Sequence, residues 1–258
     1  MGSQTLINPP ENFDWPAWVT RWDRMQERYL VGRDERFAVI SRLICDTQSS
    51  APLILDLGCG TGSLMAVLLE TIPGAHAVGV DLDPTLLLLA EKRLAAFGDR
   101  AQTVLADLRE TSWLTSIPKP FDAIVSATAL HWLNPEQLAA VYSQIATLLC
   151  LGGIFLNADH VASDNPLVQQ AWAKHRAETL AAQSDPAADD WDSFINAYLA
   201  ALGADASIAR QQALGDWQGV EDGMPLAWHF DHLRQAGFPS VDCFWRLDCD
   251  AIYGGVLP

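Results

Sequence analysis

The chain has 258 residues, half of them hydrophobic and 19% charged, which is typical of a globular protein with a substantial core. Acidic residues outnumber basic ones by 32 to 16, so the formal net charge at pH 7 is −16. A surface of this sign repels phosphate backbones, and no stretch rich in Lys and Arg offsets it. We therefore expect no nucleic-acid partner.

The sequence shows no sign of export or membrane insertion. No apolar stretch approaches the roughly 20 residues of a membrane span, and the N-terminal "MGSQTLINPP" lacks the basic start and apolar core of a signal peptide. We expect a cytoplasmic protein without a membrane partner. The five cysteines are scattered and form no CxxC pair, which predicts neither a disulfide framework nor a metal site.

The first 50 residues predict a helical cap. One apolar helical face runs through residues 15–25 and a second through residues 37–44. Strands and helices then alternate. Strands are predicted at 51–58, 76–81, 101–107, 121–127 and 152–159, and helices at 62–71, 83–98 and 135–149. Such alternation builds a mostly parallel sheet with helices on both faces.

The pattern changes between residues 160 and 236, where Ala-rich helical segments replace the strands. Two strands follow, at 238–248 and 249–257. Their short connection requires antiparallel pairing, because a parallel crossover needs about a dozen residues or more. The sequence thus predicts one doubly wound α/β domain over residues 1–258, with a helical lid inserted at 160–236 before the last two strands.

A glycine-rich loop, "LDLGCGTGS", follows the first predicted strand. In an open α/β sheet, ligands bind beyond the carboxyl ends of the strands, and glycine lets a ligand approach the backbone closely. The spacing of Gly58, Gly60 and Gly62 is GxGxG, without the Lys of a triphosphate-binding loop. A dinucleotide fingerprint needs a third glycine where Ser63 stands, which makes an NAD site the weakest interpretation.

Acidic residues end the next two strands. Asp81 can accept both hydroxyls of a ribose, as in many nucleotide sites. Asp107 can accept from an exocyclic adenine amine, with the backbone of Leu108 beside a ring nitrogen. The sequence therefore offers groups that could bind a ribose and an adenine, but none for a pyrophosphate.

These stretches resemble the class I S-adenosylmethionine-dependent methyltransferases over residues 50–160 and 236–257. The matching segments, in order, are "LDLGCGTGS", "VGVDLD", "LADLRE", "FDAIVSATALHWL" and "LLCLGGIFLNAD". The resemblance implies a Rossmann-like seven-stranded sheet of order 3-2-1-4-5-7-6 with strand 7 antiparallel. It also implies S-adenosylmethionine as cofactor, S-adenosylhomocysteine as product, and a methyl transfer by in-line SN2 displacement.

The same resemblance assigns roles to individual residues. Asp56 and the backbone from Gly58 through Cys59 and Gly60 to Gly62 would hold the methionine end, Leu82 the adenine face, and Asp81, Asp107 and Leu108 the groups named above. Ser126, at the end of the fourth strand, would lie beside the transferred methyl. His131 is the candidate catalytic base, because an imidazole can deprotonate a hydroxyl or amine near neutral pH.

The sequence counts against several acceptor classes. Enzymes that methylate adenine or glutamine amino groups carry [DN]PP[YF] after strand four, where this chain has Ser126-Ala127-Thr128-Ala129. No cysteine follows a proline, as a cytosine C5 enzyme would need. Asp159 and His160 alone would chelate a metal poorly, so no metal is predicted.

We expect the acceptor pocket between the N-terminal cap and the lid, with Tyr29, Trp132, His160 and Trp172 in contact with the acceptor. Both segments are rich in aromatic residues, most of which we expect in the core: Trp15, Trp18, Trp22, Trp191, Phe194, Tyr198, Trp217 and Trp228. An aromatic lid suits a small apolar, aromatic or cationic acceptor. Tyr29, or an arginine between residues 22 and 37, is expected near the cofactor carboxylate.

The interpretation we favour is a small-molecule methyltransferase similar to the ubiquinone and trans-aconitate methyltransferases, acting as a monomer or homodimer, with O-methylation slightly preferred over N- or C-methylation. Two alternatives stay open. The acceptor could be a tRNA or a protein, or the chain could bind S-adenosylmethionine without catalysis.

Overall fold

The structure, a computed structural model, describes residues 7–183, 185–215 and 223–258. Seven strands form one sheet of order β3-β2-β1-β4-β5-β7-β6. Their bounds are β1 (Leu53–Leu57), β2 (His76–Asp81), β3 (Ala101–Leu105), β4 (Phe121–Ala127), β5 (Leu149–His160), β6 (Ser240–Leu247) and β7 (Asp250–Val256). The first five strands pair in parallel, and β7 runs antiparallel to both β5 and β6, which confirms the predicted fold class.

Nine α-helices surround this sheet in the described ranges: α1 (Trp15–Glu27), α2 (Arg33–Thr47), α3 (Ser63–Thr71), α4 (Pro84–Leu94), α5 (Pro135–Leu148), α6 (Pro166–Gln183), α7 (Trp191–Leu202), α8 (Ala204–Leu214) and α9 (Leu226–Gln235). Asp83 caps α4 by accepting from the amide of Thr85 at 2.9 Å. Asn134 begins α5 with a capping box. The helix predicted to Gly98 ends as an α-helix at Leu94 and continues as a 3-10 turn.

Two apolar layers cover the sheet. On one face, α5 packs on β5 and α9 packs on β6 and β7, with side chains such as Tyr142, Ile145 and Leu233 in the buried cluster. On the other face, α2, α3 and α4 bury side chains such as Ile40 and Met65. The strands between them are mostly apolar, as expected for parallel strands that are covered on both sides.

A third apolar cluster lies away from the sheet and joins the N-terminal cap to the lid. Trp22 and Met25 of α1 pack with Phe194 and Tyr198 of α7 and with Leu89 of α4. The range 160–236 therefore contains two kinds of helix: α7 and α8 pack on α1 and α4, whereas α9 packs on α5, β6 and β7. Among the described residues, no helix is both long enough and apolar enough to cross a membrane.

The topology creates a crevice beside β1. Chain connections leave β1 toward β2 on one side, whereas β4 pairs with it on the other. The loops after β1 and β4 consequently separate at the carboxyl edge of the sheet, which is where open α/β sheets bind ligands.

Candidate active site

A cavity of about 850 Å³ lies at this carboxyl edge, within the size range of small-molecule sites. Its floor is formed by residues that follow β1, β2, β3, β4 and β5, and its roof by side chains of α1, α2, α6, α7 and α8. The strand ends thus form the floor of the site, and the N-terminal cap and the lid cover it.

The glycine loop forms one wall of the cavity. Gly58, Gly60 and Gly62 have φ values of +70°, +53° and +71°, a region that side-chain-bearing residues rarely adopt. A Cβ on Gly58 would lie 2.4 Å from the Cβ of Ala129, whereas one on Gly60 would meet nothing within 4 Å. Gly58 and Gly60 line the cavity. Gly62 faces Leu94 of α4 instead, so it shapes the loop without lining the site.

Asp56 and Cys59 also line the cavity, as the sequence predicts. Asp56 is 2% exposed, and its Oδ2 has no hydrogen-bond partner among the described residues. Burial, and secondarily the charge of Asp81, raises the pKa of Asp56 to about 8. A buried carboxyl oxygen to which no described residue donates suits a ligand group that brings a positive charge or an N–H.

Asp81 lies at the end of β2 with both oxygens facing backbone donors. The amide of Gly60 donates to Oδ2 at 2.7 Å and the amide of Asp83 donates to Oδ1 at 2.8 Å. Each carboxylate oxygen keeps a lone pair for a ligand hydroxyl. Burial raises the pKa of Asp81 to about 6, although these amides oppose the rise. Leu82 lies beside it on the cavity wall.

Asp107 and Leu108 reach the same wall from β3. The Asp107 carboxylate already binds Arg109, whose Nε and Nη2 donate at 2.8 and 2.7 Å. This hydrogen bond raises the pKa of Arg109. A ligand amine at Asp107 would share the carboxylate with the guanidinium of Arg109. The sequence did not predict this contact.

Helix α2 brings a positive charge to the roof. Arg33 lines the cavity, with its Nη2 3.3 Å from Oδ1 of Asp23, a carboxylate that also binds Arg93 at 2.9 Å. Tyr29 lines the cavity too, and its hydroxyl accepts from the amide of Trp191 at 2.8 Å. Among the arginines of segment 22–37, Arg33 lines the cavity.

His131 and Asp159 form a buried pair at the end of β4 and β5. Nδ1 of His131 lies 2.7 Å from Oδ1 of Asp159, and the backbone amide of His131 donates to Oδ2 at 3.0 Å. Burial alone would raise the pKa of Asp159, but the charge and hydrogen bond of His131 hold it below its ordinary range. An ionised carboxylate can only accept, so Nδ1 carries the hydrogen and Nε2 is the nitrogen that can take a proton.

Ser126 does not line the cavity, contrary to the role expected for it. It is fully buried, and its hydroxyl donates to the carbonyl oxygen of Leu57 at 2.7 Å. Side chains alternate along a strand, and β4 continues one residue further, so Ala127 and Thr128 reach the wall instead.

Trp172 is also away from the cavity. The guanidinium of Arg246 lies 4.5 Å from its ring, on a different face of α6 from the one that lines the site. The face that does so carries Gln169, Ala173, Arg176, Ala177 and Leu180. Helical spacing of three and four residues was visible in the sequence and would have grouped these positions. Trp132 and His160 line the cavity as expected, and Trp217 lies outside the described residues.

His160 is bound to Asp250, not to a metal-type cluster. Its Nδ1 lies 2.8 Å from Oδ1 of Asp250, a buried residue at the start of β7. Within the described ranges, no group of three or more His, Cys, Asp or Glu side chains is arranged to hold a metal ion.

Comparison with known proteins places these features in a family. A model of the family described as "Methyltransferase domain" matches residues 54–153. Trans-aconitate 2-methyltransferase of Streptomyces avermitilis is 29% identical over 217 residues, covering 80% of this chain and 77% of the relative. Release factor glutamine methyltransferase of Cereibacter sphaeroides is 36% identical over 87 residues, 34% of this chain and 28% of that protein.

The fold has matches among solved structures. Human N-acetylserotonin methyltransferase in complex with S-adenosylmethionine superposes with a TM-score of 0.53 at 17% identity, covering 97% of this chain and 61% of the other. The glycine loop, the donor-free carboxyl of Asp56 and the acids that follow β2 and β3 fit the same cofactor. Residues 54–153 match the methyltransferase domain, the chain as a whole is similar to class I S-adenosylmethionine-dependent methyltransferases, and its cofactor is S-adenosylmethionine.

Proposed function

We propose that the protein transfers the methyl group of S-adenosylmethionine to a hydroxyl oxygen of a small molecule, with His131 as the general base. The observation that carries the proposal is that His131 lines the cavity while its Nδ1 pairs with the buried carboxylate of Asp159 behind the wall. S-adenosylmethionine supplies a methyl group that its sulfonium already activates. The chain must align the acceptor, exclude water and remove the acceptor's proton.

The cofactor half of the cavity comprises the ends of β1, β2 and β3. Asp56 and the backbone of Gly58 and Gly60 are suited to the amino-acid end, with Arg33 opposite its carboxylate. Asp81 is suited to the two ribose hydroxyls, and Asp107 to the adenine amine. Cys59, Leu82 and Leu108 complete this wall.

Asp159 prepares His131 for proton removal. It fixes the Nδ1–H tautomer by accepting at 2.7 Å, and its negative charge stabilises the imidazolium that forms when Nε2 takes the proton. Because hydroxyl acceptors must lose a proton and carboxylates need not, this pair favours a hydroxyl nucleophile. Tyr29, Trp132 and His160 line the remaining wall, where the acceptor would bind.

A small acceptor is supported by the enclosure of the site. Helices α1, α6, α7 and α8 all contribute side chains to the cavity roof. The relative that covers 80% of this chain is named for a small acid. The net charge of −16 disfavours tRNA, and the match to the glutamine methyltransferase is confined to 87 residues. We place the protein in the cytoplasm, as a monomer or homodimer.

The test is a transfer assay with cofactor that carries a labelled methyl group, using cell extract separated into small-molecule, protein and RNA fractions. We expect label in the small-molecule fraction, in an ether that resists mild base. His131→Ala should lower turnover by about 100-fold or more, with unchanged affinity for S-adenosylhomocysteine, since general bases contribute about 10²–10⁴-fold.

His175→Ala is the matched control, because His175 is an exposed histidine that pairs with Asp248 outside the cavity. Label in protein or RNA would support the alternative acceptors. Tight cofactor binding without transfer to any fraction would support a non-catalytic binding protein. Full turnover by His131→Ala would show that His131 is not the general base.

A further inference from the structure

Acidic and basic side chains occupy different halves of the cavity wall. In the part of the chain that the structure describes, the carboxylates on the wall all follow β1, β2 or β3: Asp56, Asp81, Asp83 and Asp107. The other half, formed by residues 127–133, His160 and α6, presents His131, His160 and Arg176. We call this the acceptor half. It is basic, although the net charge of the whole chain is −16.

Two arginines of the cofactor half, Arg109 and Arg210, are each paired with a carboxylate of the same wall. Arg109 binds Asp107 at 2.7 Å and Arg210 binds Asp83 at 2.6 Å, and all four residues line the cavity. A ligand that enters this half meets paired charges.

Arg176 of the acceptor half has a weaker arrangement. Its Nε lies 3.5 Å from Oδ2 of Asp250, too far for a hydrogen bond of good geometry, and is buried without a hydrogen-bond partner among the described residues. Asp250 also lies 3.4 Å from Nη1 of Arg36 and accepts from His160. One carboxylate therefore serves two guanidinium groups and an imidazole.

Donors remain on Arg176 for a ligand. Its Nη2 donates to the carbonyl oxygen of Tyr29 at 2.8 Å, which holds the guanidinium against the roof. A guanidinium has five N–H donors, and the described residues accept from one of them. The Arg176 side chain is 27% exposed and lines the cavity, so a ligand there can contact the guanidinium, although Nε itself is buried.

The carboxylates that balance this half lie behind its surface. Asp159 and Asp250 are 1% and 2% exposed and do not line the cavity, whereas the imidazoles that bind them do. Counted together, Arg36 and Arg176 offset Asp159 and Asp250 while both imidazoles are neutral, and each protonated imidazole adds a positive charge. A ligand in the acceptor half thus faces donors and cations.

We propose that the acceptor carries a carboxylate group that binds Arg176 and His160, while its reacting hydroxyl lies against His131. The inference rests on the proposed methyl transfer and names its substrate class, a hydroxy acid. Guanidinium and imidazole groups bind carboxylates through charge-assisted hydrogen bonds. The rings of His131 and His160 are 5.1 Å apart, so both polar groups of the acceptor lie on one side of it. Trp132, Trp191 and Leu180 offer an apolar wall to the rest of the molecule.

The test compares hydroxy acids with their carboxamides, which have nearly the same shape without the charge. Calorimetry on protein saturated with S-adenosylhomocysteine would use 4-hydroxybenzoate, salicylate and 3-hydroxybutyrate, each beside its amide. We expect at least one acid to bind about tenfold or more tightly than its amide, as a charge-assisted contact provides. Arg176→Met should abolish this preference and leave the affinity for S-adenosylhomocysteine unchanged.

Lys174→Met is the matched control, since Lys174 is an exposed cation on the same helix, paired with Glu178. The proposal is overturned if no acid binds more tightly than its amide, or if Arg176→Met leaves the preference intact. It is also overturned if Arg176→Met weakens S-adenosylhomocysteine binding as much as acid binding, because Arg176 would then serve the cofactor. Circular dichroism and thermal melting of each variant show that it is folded.

The outcomes separate this inference from the proposed function. A methyl ester, cleaved by mild base, together with an Arg176-dependent acid preference would retain the acidic acceptor and refute the hydroxyl nucleophile. A methyl ether formed on a neutral acceptor, without any acid preference, would retain the hydroxyl nucleophile and refute the acidic acceptor.

Discussion

Arg210 on α8 donates from Nε to Oδ2 of Asp83 at 2.6 Å, and Asp83 is the residue whose other oxygen caps α4. Arg210 lines the cavity, and Asp83 follows directly after the residues suited to the ribose. A lid helix is thereby joined to the strand end that forms the cofactor half. Opening of the lid requires the separation of this partly buried ion pair.

Replacement of Arg210 by Met should destabilise the protein and loosen the lid. Asp83 is 4% exposed on its side chain and would lose its charged partner, which we expect to cost about 1–3 kcal/mol. For a chain of this size, that corresponds to roughly 2–4 °C of melting temperature per kcal/mol. Stopped-flow measurement should show faster dissociation of S-adenosylhomocysteine.

Arg24→Met is the control for the lid experiment. Arg24 on α1 pairs with Asp185, which follows α6, and both side chains are at least 42% exposed. Solvent screens exposed pairs, which add little to stability, so melting temperature and dissociation rate should barely change. Equal effects of the two substitutions would show that the ion pair of Arg210 has no special part in lid closure.

The stability of the cofactor-free protein should fall as the pH rises, because of Asp56. Its pKa is raised from 3.8 to about 8 in the folded state, so the folded chain holds a proton that the unfolded chain has released. The unfolding free energy contributed by this group therefore declines between about pH 4 and pH 8. Asp56→Asn should be more stable than the wild type at pH 8.5, by about 1 kcal/mol or more, and the difference should shrink at pH 5.

Thermal melting at both pH values, with and without S-adenosylhomocysteine, measures this effect. We expect the cofactor product to stabilise Asp56→Asn less than the wild type, since the amide lacks the charge. A difference in stability that is independent of pH would contradict the raised pKa of Asp56.

Asp81→Ala should weaken S-adenosylhomocysteine binding by about tenfold or more. The substitution removes the acceptors suited to two ribose hydroxyls and also releases the amides of Gly60 and Asp83. Asp81→Asn restores one acceptor oxygen and should fall between Ala and the wild type by calorimetry. Unchanged affinity in Asp81→Ala would place the ribose elsewhere.

Gly58→Ala should be more harmful than Gly32→Ala. Both glycines have positive φ, +70° and +63°, so each substitution carries a backbone cost of about 1 kcal/mol. A Cβ at Gly58 would also lie 2.4 Å from the Cβ of Ala129, whereas one at Gly32 would meet its nearest atoms at 3.6 Å, an ordinary contact. We expect a markedly lower melting temperature and a loss of cofactor binding for Gly58→Ala alone. Equal melting temperatures would show that the loop after β4 can move away.

Local sequence signals were most accurate where an apolar run has clear boundaries. The predicted strands 76–81 and 121–127 coincide with β2 and β4, and Asp83 and Asn134 cap the helices that they were expected to begin. β5 begins three residues before the predicted position, at Leu149. The pair Gly152-Gly153 is typical of a turn, but in the structure it lies within β5, whose pairing with β4 shifts register.

Side-chain direction was less predictable than element position. Ser126 and Trp172 are in the expected strand and helix, but each faces away from the cavity. Direction depends on the phase of an element relative to the neighbours that pack on it, and a single sequence does not contain that phase. Arg176 was missed for the same reason, since its role comes from contact with Tyr29 and Asp250, 147 and 74 positions away.

The sequence by itself determined the fold class and predicted the residues of the cofactor half of the site. Those features come from local patterns: alternating strands and helices, a glycine loop after one strand, and single acids at the ends of the next two. The tertiary structure alone decided the acceptor half. The His131–Asp159 pair, the sharing of Asp250 and the Arg210–Asp83 contact each join segments that are far apart in the chain. Such pairings form when the sheet and the lid pack together, because packing sets which distant side chains share a buried environment.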